Sequence, residues 1–183
     1  MIAQHLEFYR NHFRLGPLDF DFSAPGIYRI IGANGSGKST LLKLLSRRLK
    51  ASAGEVLLPK NPIATIGVEP LFPLSWTGNE ALRWTQALTS LPLMHEDFLL
   101  AIEKYKERRF LELSTGQRRQ VELSILLAHP FESYLLDEAL DCLDASQRPL
   151  YEKKILQRAA EGSRVIFTSH QEGQLSPKRS LSL

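Results

Sequence analysis

The sequence predicts an α/β fold with a mixed, largely parallel sheet. Three observations carry that expectation. Short apolar segments with strand alternation recur along the chain, amphipathic helical segments separate most of them, and a glycine-rich loop joins an apolar strand to a helix at residues 32–39. Alternation of strand and helix is the pattern of parallel pairing, because two parallel strands need a crossover between them.

Taken in order, HLEFYR places Leu6 and Phe8 on one strand face, PLDFDF does the same with Leu18, Phe20 and Phe22, and GIYRII is an apolar run ending at Ile31. Pro17 and Pro25 mark the expected turns between them. From Lys38, the residues Leu41, Leu42, Leu44, Leu45 and Leu49 are spaced for one buried helix face, and EVLL and PIATIGV follow as strands. Residues 70–94 carry prolines, Trp76, Trp84 and Phe72 around a helical stretch from about Asn79 to Leu88, with a further helix expected over about 95–106. A long helix from Gly116 to Ala128 precedes the strand YLLD. A helix from about Ala145 to Ala159 and the strand RVIFTSH come next, and SPKRSLSL is compatible with a terminal edge strand.

At 183 residues the chain reads as a single domain, 1–183, large enough to bury a core without metals or disulfides. Hydrophobic residues at 43% and charged residues at 23% are ordinary for a globular protein, which argues against disorder. Cys142 is the sole cysteine, so no internal disulfide forms, and a reducing, cytosolic setting without structural zinc is expected. No apolar run is long enough to cross a bilayer. The net charge of +3 is spread over short groups such as Arg47-Arg48 and Arg118-Arg119, interleaved with acids, so nothing resembles a nucleic-acid-binding stripe.

Residues 32–39, GANGSGKS, match the phosphate-binding pattern G-x-x-x-x-G-K-[ST] in the strand-to-helix context it requires. Its glycines admit positive φ and close backbone approach, so that successive N–H groups can surround phosphates. Lys38 is placed to neutralise the β and γ phosphates and Ser39 to give a hydroxyl to Mg²⁺. YLLDE at 134–138 is an apolar strand ending in two carboxylates. Adjacent strand residues face opposite ways, so Asp137 is assigned to Mg²⁺ and Glu138 to the attacking water as general base. His170, at the end of VIFTS, can position a γ-phosphate. LSTGQ at 113–117 combines a capping box, Ser114 with Gln117, and the free N–H groups of a helix start, which suit an anion.

These motifs, in this order, resemble the ATP-binding cassette ATPases, the nucleotide-binding subunits of transporters. GANGSGKST at 32–40 resembles Walker A, LSTGQ the family signature, YLLDE Walker B with its catalytic Glu, DCLD at 141–144 the D-loop, and His170 the switch histidine. The resemblance implies a P-loop NTPase with an N-terminal antiparallel β subdomain and a short helical insert, about 70–125, carrying the signature. It implies ATP and Mg²⁺ as cofactors. Asn34, Gly35, Ser36, Gly37, Lys38, Ser39 and Thr40 would bind nucleotide, with Lys38, Glu138 and His170 catalytic. Ser114, Thr115, Gly116 and Gln117 would act in trans on the ATP of a second subunit, with Asp141 and Asp144 in the D-loop.

Three positions depart from the family pattern. Thr115 stands for the usual first Gly of the signature, so the loop must take ordinary helix-start geometry or tolerate strain. Ala139 stands for a Pro. Glu69 stands where a Q-loop glutamine is expected and would approach Mg²⁺ by its carboxylate. Tyr9 is assigned by spacing to stack on adenine, with Phe13 as the alternative. Phe72, Trp76 and Trp84 either pack in a core or line a groove for a membrane partner. The resemblance thus implies an ATP hydrolase that dimerises head to tail, as a homo- or heterodimer. It would drive an integral membrane subunit from the cytoplasmic face, with no nucleic acid bound. The alternative is a soluble cassette ATPase that remodels a protein or nucleic-acid complex.

Overall fold

The computed structural model describes residues 1–67, 69–95, 97–99, 103–170 and 173–183. In its small sheet, β1 (Ile2–Arg10) pairs antiparallel with β2 (Phe13–Asp21) on one side and with β4 (Ala53–Leu57) on the other. The chain reverses at Asn11, whose φ is 54°, and His12, a polar pair suited to a tight turn. Pro17 therefore marks no turn. It lies inside β2, at the edge of the small sheet, where a missing N–H is tolerated. The preceding Gly16 has φ 96°, and a Cβ there would lie 2.1 Å from the carbonyl oxygen of Leu6, so only glycine fits beside this register shift.

The main sheet has the order β5 (Ile63–Ile66), β6 (Ser133–Asp137), β7 (Arg164–Thr168), β3 (Gly26–Ile31), β8 (Arg179–Ser182), and every neighbouring pair is parallel. Among the described residues, antiparallel pairing of strands is confined to the small sheet. Every residue of β6 and β7 is buried, as strands covered on both faces must be. On one face, α1 (Lys38–Leu45) seats Leu41, Leu42, Leu44 and Leu45 with Leu135 and Ile166, and with Leu6, Phe8 and Phe20 of the small sheet. On the other, α3 (Thr115–Ala128) and α4 (Arg148–Ala160) seat Leu123, Leu127, Tyr151 and Ile155 against Tyr134, Leu136 and Phe167. Tyr134 and Leu136 thus face one way and Leu135 the other, the alternation a strand imposes.

The insert has a core of its own. Here α2 (Gly78–Thr89) begins at a capping box between Thr77 and Glu80, and its Ala81 packs with Phe72, Phe110, Leu113, Val121 and Ile125. A 3-10 turn at Phe110–Glu112 leads into α3. The helix expected over 95–106 falls partly on residues outside the described set, and the described residues 97–99 and 103–107 form 3-10 and turn geometry. No helix among the described residues is long and apolar enough to cross a membrane.

Candidate functional site

β6, β7 and β3 are parallel neighbours, so their C-terminal ends fall at one edge of the sheet, where ligands of open α/β sheets bind. β3 delivers the loop 32–37, β6 delivers Asp137 and Glu138, and β7 delivers Ser169 and His170. In the loop, Gly35 has φ 82° and Gly37 φ 107°, and a Cβ on Gly37 would lie 2.8 Å from Leu15 Cδ1. Lys38 is 8% exposed, and its ammonium donates to the carbonyls of Gly32 and Ala33 at 2.9 and 3.0 Å. Ser36 Oγ is buried without a hydrogen-bond partner among the described residues. The free N–H groups that open α1, together with a lysine, make this end of the molecule an anion site.

Asn34, Gly35, Gly37, Lys38, Ser39, Thr40, Glu138 and His170 line one cavity of about 370 Å³, a volume within the range of small-molecule sites. Phe13 is in its wall. Tyr9, the residue assigned by spacing, is not among the residues lining it. Its hydroxyl donates to Glu7, and the guanidinium of Arg14 sits 5.5 Å from its ring centroid.

Asp137 accepts a hydrogen bond from Thr168 Oγ1 at 2.8 Å. Glu138 takes the left-handed φ of 51°, held by its N–H donating to the carbonyl and hydroxyl of Thr168 at 3.2 and 2.9 Å. Its Oε1 lies 2.8 Å from Nε2 of His170. An adjoining cavity is lined by Ser39, Glu69 and Asp137. No cluster of three or more His, Cys, Asp or Glu side chains suited to a metal occurs among the described residues. A divalent ion here would draw on the hydroxyl of Ser39 and the carboxylate of Asp137, with Glu69 in the same wall. These hard oxygen donors fit Mg²⁺, which is commonly held by one or two carboxylates plus substrate phosphates.

Ser114, Thr115, Gly116 and Gln117 are not among the residues lining either cavity. Ser114 caps α3: its hydroxyl accepts from Gln117 N–H at 3.2 Å while Gln117 Oε1 accepts from Ser114 N–H at 3.1 Å. Thr115 is the first residue of that helix, so the ordinary helix-start geometry is the one adopted. Gly116 is packed against residues 141–144, where a Cβ would meet the carbonyl oxygen of Cys142 at 2.9 Å. Asp144 caps the approach to α4 by accepting from the N–H groups of Ser146 and Gln147 at 3.0 and 2.9 Å. Asp141 accepts instead from Ser169 Oγ at 2.5 Å and from His170 N–H at 2.9 Å.

Sequence reasoning missed Thr168, Ser169, Arg148 and Glu152. Arg148 and Glu152 had one available signal, their i,i+4 spacing on a helix. It missed as well the pair Arg119 and Glu122, which joins α3 to the segment 67–71: Arg119 donates to the Gly67 carbonyl at 2.6 Å and Glu122 accepts from Leu71 N–H at 2.8 Å. A third, more apolar cavity of about 310 Å³ is lined by Ile63, Leu71, Phe72, Trp84, Leu88 and Phe131, among others. Trp76 joins Phe72 and Trp84 in an aromatic cluster, with ring centroids 6.5 and 5.9 Å away.

A family model described as ABC transporter matches residues 15–141. The cytochrome c biogenesis ATP-binding export protein CcmA of Idiomarina loihiensis is 32% identical, over 87% of this chain and 79% of its own length. The protein of the same name from Pseudomonas putida is also 32% identical, over 87% and 83%. Among solved structures, an ABC transporter ATP-binding protein from Pyrococcus furiosus has a TM-score of 0.82 at 24% identity, covering 100% of this chain and 96% of that one. A dimeric ATP-binding cassette with bound ADP and Pi has a TM-score of 0.80 at 17% identity, covering 93% and 88%. These two likenesses concern the fold.

Proposed function

The chain belongs to the ABC transporter family, as an ATP-binding and ATP-hydrolysing subunit, and from that premise we propose how its residues do the work. ATP lies in the cavity at the ends of β3, β6 and β7, with adenine against Phe13 and the phosphates in the loop 32–40. Lys38 turns from the two loop carbonyls to the β and γ phosphates. Ser39 and Asp137, with Glu69 beside them, hold Mg²⁺, which when bound offsets charge on the phosphate oxygens. Glu138 takes a proton from the water that attacks the γ-phosphorus while the bond to the ADP oxygen breaks. His170, protonated at Nε2, donates to Glu138 and orients it.

The observation that carries this reading is the convergence of Lys38, Glu138 and His170 on one cavity, with Glu138 and His170 2.8 Å apart. The signature residues are absent from the lining of that cavity, so we read them as serving a second subunit's ATP, head to tail. Ser114 and the N–H groups of the first turn of α3 would then meet that subunit's γ-phosphate. The subunit works in a transporter complex with membrane components. We place it peripherally on the cytoplasmic face. The apolar cavity beside α2, where Trp84 is 46% and Leu88 64% exposed, is the surface we assign to the membrane subunit. The names of the curated relatives support an export-type complex.

Two variants test the site. Lys38→Ala is expected to abolish tight ATP binding, and unchanged affinity would contradict its phosphate role. Glu138→Gln is expected to keep ATP affinity while slowing hydrolysis about 10²- to 10⁴-fold; turnover at the normal rate would require another base.

A further inference from the structure

We infer that Arg148 and Glu152, one turn apart on α4, are positioning residues that hold the segment bearing His170 against Glu138. The inference rests on the reading of Glu138 and His170 given above. The imidazole of His170 is 47% exposed, so packing around the ring does little to fix it. Its distance from Glu138 is set by where its backbone lies, and that backbone is held from below by buried charge.

At the near end, Asp141 receives the hydroxyl of Ser169 at 2.5 Å and the N–H of His170 at 2.9 Å. Arg148 braces that arrangement, with Nη1 3.4 Å from Asp141 Oδ1 and Nη2 3.2 Å from Ser169 Oγ. Its Nε donates to Glu152 Oε1 at 3.0 Å. At the far end, Glu152 Oε2 accepts from Gln174 N–H at 3.0 Å. Gly173 passes so close that a Cβ there would lie 2.0 Å from Glu152 Oε1 and 3.3 Å from Arg148 Nε. Arg148 is 8% and Glu152 2% exposed. One ion pair on α4 therefore grips the chain on both sides of His170.

The guanidinium suits the task because its rigid fork sends three donors in fixed directions, to Asp141, Ser169 and Glu152 at once. A lysine keeps the charge and loses the fork. Misplacing a reacting group by about 1 Å can cost on the order of 10²-fold in rate, so a small drift of this segment is enough to be read in turnover.

The test measures ATP turnover, ATP affinity and thermal midpoint for Arg148→Lys, Glu152→Gln and Gly173→Ala, each alone and combined with His170→Ala. Gly173 is exposed, so its alanine variant pushes the clamp aside without removing a buried charge, and it keeps the experiment decisive where a buried variant folds poorly. Expected is a loss of kcat of about 10- to 100-fold with ATP affinity unchanged, and no additional loss in the His170→Ala background. Wild-type kcat in Arg148→Lys and Gly173→Ala overturns the inference, as does an equal loss with and without His170, which would place the effect elsewhere. If His170→Ala by itself leaves turnover intact, the parent reading of His170 fails, and this inference with it; the single variant makes that case distinguishable.

Discussion

Glu138 sits at φ 51°, a region that a residue with a side chain occupies at some cost. The two contacts of its N–H with Thr168 hold it there, and the result is a carboxylate turned into the cavity beside His170. Nothing in YLLDE announces the left-handed turn. The carboxylates were legible because few residue types can serve a phosphate site, whereas Thr168 was not, because a strand-end threonine is equally at home in any sheet. The aromatic beside the loop shows the same limit: spacing favoured Tyr9 over Phe13, and Phe13 is the one that lines the cavity. Lys154, which no motif singled out, is 7% exposed, with its ammonium 4.8 Å from the Phe98 ring centroid and 5.0 Å from that of Tyr151. Burial lowers its pKa from 10.5 to about 8, against the opposing pull of Asp97. The folded state thus disfavours the charged form: the penalty is complete below pH 8, fades as pH rises from 8 to 10.5, and is gone where lysine is neutral in both states. Lys154→Met is therefore expected to gain about 1–2 kcal/mol at pH 7 by urea unfolding, after allowing for the lost ring contacts and the lost hydrogen bond from the ammonium to the Phe98 carbonyl. That gain should shrink from pH 8 to pH 10. A gain independent of pH would mean that the charge is not the cause.

Elements were the most legible level, because periodicity and caps act locally. The spans of β3, α1, α2, α3 and β6 follow from apolar spacing, the glycine-rich loop and Ser114. Pro17 was an exception, read as a turn although an edge strand accommodates it, and the helix expected over 95–106 was another, its described residues forming 3-10 and turn geometry. What the sequence could not convey was how elements lock together. Arg119 and Glu122 are a buried i,i+3 pair at 2.8 Å on α3, and their other contacts reach Gly67 and Leu71, about fifty residues upstream. Periodicity says nothing about partners at that separation. Burial pushes the Glu122 carboxyl above its ordinary range even with Arg119 beside it, so desolvation outweighs pairing here. A pair of that kind gains little over apolar residues but is costly to break on one side. Glu122→Leu should lose about 3–5 kcal/mol in urea unfolding, and the double change with Arg119→Met should recover most of it. A single variant as stable as the parent would show that the pair does not hold α3 to Gly67 and Leu71.

For the whole molecule, the order of motifs conveyed the family, and the parallel sheet explains why: residues far apart in sequence meet wherever parallel strands end together. The same topology leaves LSTGQ at the start of α3, away from the cavity lining, with its cap intact. Our central claim is that two chains complete each other's sites, and mixing two inactive variants tests it most directly. Lys38→Ala destroys the phosphate loop of one chain. Ser114→Asp keeps the N-cap, since aspartate caps as well as serine, but sets a negative charge where the partner's γ-phosphate must arrive. Each variant alone should be nearly inactive. In an equimolar mixture, half the dimers pair one of each and hold one intact site of two, so turnover should return to about a quarter of the parent value. If the mixture remains as inactive as its components, the sites are not shared between chains and the account is wrong.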